Sequence, residues 1–162
     1  MKRIAFAFCA IILLSSLSAC SSKEVDISEY ADYPIEVSGL LDEDFTVTPQ
    51  ELLELDCVSR TATGATEKAG TVSVKGPLLN TFLAQYGKTA ADFYKIRFLC
   101  ADGYKTVLKD DLLTDYEVVL AVQNSNGPLQ ESLRPMRLLI PEAESSTWAY
   151  SVIRIEFEAE KP

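Results

Sequence analysis

Apolar and polar positions alternate in short runs after residue 33, and each run stops at turn-forming residues. Residues 35–37, Ile-Glu-Val, alternate as a strand does and end at Ser38-Gly39. Residues 58–63 and 71–75 repeat the pattern on either side of a loop at 64–70. A strand over 94–100 turns at Ala101-Asp102-Gly103 and returns over 104–108, which predicts a hairpin. Residues 117–123 are the most apolar strand of this region and stop at Asn124-Ser125-Asn126-Gly127-Pro128. Residues 136–140 and 151–158 add two more strands, the last setting Val152, Arg154, Glu156 and Glu158 against Ile153, Ile155 and Phe157.

Helical signals fall only between these strands. Thr48-Pro49-Gln50-Glu51 is a capping box with proline at the first helical position, and Leu52, Leu53 and Leu55 follow it, so a helix is predicted over 49–55. Gly76-Pro77 opens a second helix whose Leu78, Leu79, Phe82, Leu83 and Tyr86 share a face, with Gly87 just past its end. Residues 109–113 resemble a third, short helical turn with its acids near the amino end. The fold class that follows is α+β, with a mainly β core and short helices in the connections.

Ahead of this domain the pattern changes. Lys2 and Arg3 precede an apolar run over residues 4–14, which is short for a membrane span and has the charge order of a secretory signal. Leu17-Ser18-Ala19-Cys20 then resembles the bacterial lipobox, in which Cys20 is lipidated and becomes the first mature residue. The expected organisation is a lipoprotein signal peptide at 1–19, a lipidated terminus and tether at 20–33, and a single domain at 34–162. The chain is thereby placed in the cell envelope, held by lipid on the outside of the cytoplasmic membrane or in the outer membrane.

Charge and composition then narrow the chemistry. The full chain carries a formal charge of −9, and loss of Lys2 and Arg3 with the signal takes it to −11. An acidic surface argues against nucleic acid as a partner, and leaves the membrane, an envelope protein or a small molecule. The chain contains no histidine, so Ser-His and Cys-His catalysis and histidine-ligated zinc are excluded. Beyond Cys9 and Cys20 only Cys57 and Cys100 remain, in a compartment that permits disulfides. They are expected to pair; two separate buried thiols are the alternative. Asp110, Asp111 and Asp115 read as a solvated face.

Several segments together resemble the molybdopterin-binding domain of the sulfite oxidase family. They are Thr-Pro-Gln-Glu-Leu-Leu at 48–53, Gly76-Pro77-Leu78-Leu79, Asp102-Gly103-Tyr104 in a hairpin, and Leu120-Ala121-Val122 leading to Asn126-Gly127-Pro128-Leu129. Arg134-Pro135-Met136-Arg137-Leu138-Leu139-Ile140-Pro141 and a closing strand behind Trp148 complete the set, which covers about residues 34–158. The resemblance implies a molybdopterin cofactor whose metal is bound by a cysteine thiolate. Cys57, followed by Val58-Ser59-Arg60, is the one sulfur near that place, but the ligand is expected nearer residues 61–64, where no sulfur stands. Arg60, Arg134 and Arg137 are the candidate cofactor- or anion-binding residues. Glu142 and Glu144 follow Pro141, where an anionic group would approach, and the resemblance implies a histidine that this chain lacks.

On these residues no cofactor is expected, with molybdopterin as the alternative, and no catalytic residue is assigned. The leading expectation is a non-catalytic, membrane-anchored binding or interaction domain that keeps the fold. A molybdopterin-dependent oxidoreductase or electron-transfer accessory protein is the second reading, and a structural envelope lipoprotein the third.

Overall fold

Thr48 starts the first helix as its sequence requires. Its hydroxyl accepts from the Glu51 N–H at 3.2 Å, and its own N–H donates to the Glu51 carboxylate at 2.8 Å. The computed structural model describes residues 25–64 and 70–159, and Cys20 lies outside them. Its elements are β1 (Ile35–Ser38), β2 (Phe45–Val47), α1 (Pro49–Leu53), β3 (Cys57–Thr63), β4 (Thr71–Pro77), α2 (Leu79–Ala84), β5 (Lys95–Cys100), β6 (Lys105–Lys109), α3 (Asp111–Thr114), β7 (Val119–Ala121), β8 (Gln123–Asn124), β9 (Gly127–Pro128), β10 (Arg137–Leu139) and β11 (Val152–Glu158).

The strands form three sheets. One has the order β2-β1-β11-β5-β6, with β1 and β11 parallel and the other pairs antiparallel. A second has the order β3-β4-β8-β9, and β7 pairs with β10 in a third. The main core runs through all of them, with Ile35, Val37, Val74, Ile96, Phe98, Leu120, Leu138 and Ile155 fully buried. Short helices close its ends, Leu52 entering from α1 and Phe82 and Leu83 from α2.

The strand predicted over 117–123 divides at Val122, because β7 joins β10 while β8 joins β4. The closing strand departs from strict alternation. Its register against β5 shifts between Val152 and Arg154, so that Ile153 is 41% exposed while Val152, Ile155 and Phe157 enter the core. On the outer face Arg97 reaches Glu156 at 3.0 Å and also Glu158, and Arg154 reaches Glu36.

Two expectations change here. Cys57 and Cys100 are free thiols and form no disulfide. Cys57 opens β3 and pairs with Pro77, whereas Cys100 closes β5 and pairs with Val152, so the two belong to different sheets. The residues read as the end of a tether also pack onto the domain. Ile27 and Tyr30 are buried with Leu129, and the Tyr30 hydroxyl donates to the Val122 carbonyl at 2.8 Å while accepting from the Leu129 N–H at 2.9 Å. Tyr30→Phe strands a buried carbonyl and a buried N–H, each worth about 1–3 kcal/mol when unpaired, and should lower stability by about 2 kcal/mol. Urea unfolding measures this; a change under about 0.5 kcal/mol would show that the docked segment contributes little.

Candidate functional site

Residues 148–150 run back beside β10, with Leu138 opposite Ala149. Backbone bonds join the two residues in both directions, Leu138 N–H to Ala149 O at 2.8 Å and Ala149 N–H to Leu138 O at 3.2 Å. In extended chain, side chains two apart share a face. Arg137, Trp148 and Tyr150 therefore project to the same side. The Arg137 guanidinium carbon stands 5.4 Å from the centre of the Trp148 ring and 4.7 Å from that of Tyr150. Trp148 is fixed by its indole N–H donating to the Ile140 carbonyl at 2.9 Å. Ser151 ends the run with a positive φ of 51°, and its hydroxyl donates to the Arg134 carbonyl at 2.5 Å.

Arg137 is 3% exposed, and its Nε has no hydrogen-bond partner. Among the described residues no carboxylate forms an ion pair with it. Burial lowers its pKa from the usual arginine value, and the Tyr150 side chain opposes that effect. A buried cation supported by two aromatic faces is attracted to their π clouds but still lacks a counter-charge. Both rings also line a cavity of about 280 Å³, together with Cys100, Asp102, Tyr104, Ser145 and Ser146. The Tyr104 hydroxyl ties its rim by donating to the Ser146 carbonyl at 2.9 Å. Glu142 and Glu144 are exposed and do not line it, but the Glu144 carboxylate accepts from the Ser146 hydroxyl at 3.4 Å, so one carboxylate of the expected pair stands at the rim while Asp102 lies on the lining.

The other two arginines are committed elsewhere. Arg60 makes a two-pronged pair with Glu117, at 2.6 and 2.9 Å, which raises the arginine pKa and lowers that of the carboxylate. Arg134 contacts Glu29 at 2.6 Å, donates to the Leu129 carbonyl at 2.9 Å and lies 4.7 Å from the centre of the Tyr30 ring. It staples the docked segment onto the domain. Cys57 turns its sulfur toward the carbonyls of Leu52 and Leu53, at 3.6 and 3.9 Å. Burial raises the pKa of its thiol, as it does for Cys100. Near the far end of β3, Thr61 bonds Ser73 at 2.7 Å and Thr63 bonds Thr71 at 3.0 Å, hydroxyl to hydroxyl. Asp110, Asp111 and Asp115 are exposed, and no three Cys, Asp or Glu side chains among the described residues gather to hold a metal.

The structure is similar to that described as "Crystal Structure of the Sulfane Dehydrogenase SoxCD from Paracoccus pantotrophus", with a TM-score of 0.63 at 20% identity. That similarity covers 80% of this chain and 39% of the other, so the chain spans about two-fifths of its neighbour. No curated protein matches the sequence. A mainly β core with short helices in its connections is the sulfite-oxidase-like fold that the sequence led us to expect. The family described as "Oxidoreductase molybdopterin binding domain" matches residues 22–162, and the chain belongs to that family.

Proposed function

We propose that the chain binds a molybdopterin-type ligand, a phosphate arm on a planar heterocycle, at the cavity walled by Trp148 and Tyr150, the two rings against which Arg137 stands, and serves oxidoreduction at the cell envelope as an electron-transfer or accessory component. The single observation that carries this reading is the buried Arg137 with its free Nε, beside a cavity whose wall is two aromatic rings. A phosphate arm supplies the missing anion, and a guanidinium fork suits it geometrically. Family membership supports the choice of ligand class.

The cofactor fits this chain only in part. Its anionic arm matches the charge of Arg137, which stands against the two rings and is not itself on the cavity lining, where Asp102 is the one charged residue. Its metal end finds no ligand set, because Cys57 turns its sulfur onto the Leu52 and Leu53 carbonyls, burial raises the pKa of both thiols, and the hydroxyls near the end of β3 bond one another. No redox step is therefore assigned to these residues. A non-catalytic binding domain remains the second reading, favoured by the inward-turned sulfur of Cys57. A purely structural lipoprotein gives the buried cation no purpose.

The lipobox supports an anchor at Cys20. In a host that makes molybdenum cofactor, the full chain should be recovered with membranes and carry bound pterin, and Cys20→Ser should move it to the soluble fraction. Purified protein without pterin or any phosphate-bearing ligand would reject the binding reading. A Cys20→Ser chain that stays with membranes would reject the anchor.

A further inference from the structure

We infer that the free edge of β6 accepts an extended acidic strand from a partner protein. β6 ends the five-stranded sheet, and among the described residues no strand pairs with its outer side. The hairpin's own hydrogen bonds identify the backbone groups left over. The Cys100 N–H donates to the Tyr104 carbonyl at 2.9 Å, which makes these two a bonded pair. Bonded and non-bonded pairs alternate along an antiparallel ladder. Phe98–Thr106 and Ile96–Leu108 are therefore bonded, whereas Leu99–Lys105, Arg97–Val107 and Lys95–Lys109 are not. The N–H and C=O groups of Lys105, Val107 and Lys109 thus point away from β5, and among the described residues no other element hydrogen-bonds to them.

The side chains of the same three residues select what this edge takes. They are exposed, while Thr106 and Leu108 between them are buried. In β5, Lys95 and Arg97 are engaged by Glu158 and Glu156. Among the described residues Lys105 has no ion-pair partner, and Lys109 has only Asp110, at 4.0 Å. A basic strip is thereby left on one edge of a chain whose formal charge is −9. Two copies pairing their β6 edges antiparallel about Val107 would set Lys105 against Lys109 twice, so the edge repels its own copy. A strand with acids two places either side of an apolar residue meets Lys105, Val107 and Lys109 favourably at each position, and its backbone fills the open ladder. Four of the six large apolar side chains exposed among the described residues, Tyr104, Val107, Tyr150 and Ile153, lie on β6 and β11 or just ahead of them, which marks this end of the sheet as a contact surface. Tyr104 and Tyr150 also line the cavity, so a docked partner stands at its rim.

The test is amide exchange, read residue by residue on the full chain in an uncharged detergent. In the free protein the N–H groups of Lys105, Val107 and Lys109 should exchange at least about tenfold faster than those of Thr106 and Leu108, which β5 holds. The peptide Thr-Glu-Thr-Val-Thr-Glu-Thr should slow the first three and leave the other two unchanged. The same peptide with lysine for glutamate should bind at least about tenfold more weakly, and the double variant Lys105→Glu, Lys109→Glu should reverse that order, which a misfolded chain would not do. Slow exchange of all five amides in the free protein would mean that the edge is already covered. Equal binding of the two peptides would mean that charge does not choose the partner, and protection by phosphatidylglycerol vesicles in place of the peptide would make the bilayer the occupant. Each of these results overturns the inference. It goes beyond the ligand reading above and is measured whether or not pterin is bound, so the failure of one leaves the other standing.

Discussion

Arg137→Met should melt at a higher temperature than the parent and lose its ligand. A lone charge taken out of water costs several kcal/mol, and two cation–π contacts return only part of that. The flexible methionine side chain can occupy the same space between Trp148 and Tyr150 and needs no partner. The expected gain is about 1–3 kcal/mol, or roughly 3–10 °C for a domain of this size. At the proposed site, removing a buried cation costs about 2–5 kcal/mol of binding, so retention of a phosphate-bearing ligand should fall by about 100-fold. Arg137→Lys keeps the charge, loses the fork and should lie between the two. Opposite signs for stability and binding identify a residue retained for its ligand. A melting temperature that falls in Arg137→Met would mean that the arginine is structural.

Gly76→Ala should be among the most disruptive single-methyl changes in the domain. Residues 75–79 cross residues 118–122 backbone to backbone, with Val122 N–H on the Lys75 carbonyl at 3.1 Å and Leu79 N–H on the Val118 carbonyl at 2.8 Å. A Cβ at Gly76 would stand 2.0 Å from the Leu120 carbonyl oxygen and 2.9 Å from the Ala121 Cα. No rotamer relieves a clash with backbone, so β4 and β7 must move apart. The cost should be about 3 kcal/mol or more, toward the upper end of overpacking losses. Gly127→Ala, with open space around its Cβ position, is the control and should change stability by less than about 0.5 kcal/mol. Chemical denaturation of the two side by side decides it; a loss below about 1 kcal/mol at Gly76 would mean that the crossing is looser than described.

Local chemistry was legible wherever a few adjacent residues determine the outcome. The capping box at Thr48, the turn at Gly103 with its φ of 84°, and the alternation of β5 are of this kind. β2 was missed because it has three residues, follows the acidic stretch Asp42–Glu43–Asp44 and buries only Val47, which leaves no pattern to read. The phase of the closing strand was misread at Ile153 because a bulge is decided by the partner strand. At the site, Arg60, Arg134 and Arg137 looked alike in sequence. Their difference lies in Glu117 and Glu29, carboxylates remote in the chain that neutralise the first two and leave the third unpaired. The two rings around Arg137 could be seen as residues two apart, but the register that sets Ala149 opposite Leu138 could not. The disulfide expectation failed for the same reason: cysteine counting carries no information about which sheet each thiol joins.

The docked segment that begins at Val25 has a consequence for reach. With Cys20 acylated as proposed, five residue steps separate the lipid from the first described residue, and fully extended chain covers at most about 18 Å in that number. Tyr30 and Arg134 hold the segment down, so it is not available as slack. The domain would then ride on the bilayer like a boat on a short mooring, and would exchange ligand or electrons only with components that come to the membrane surface.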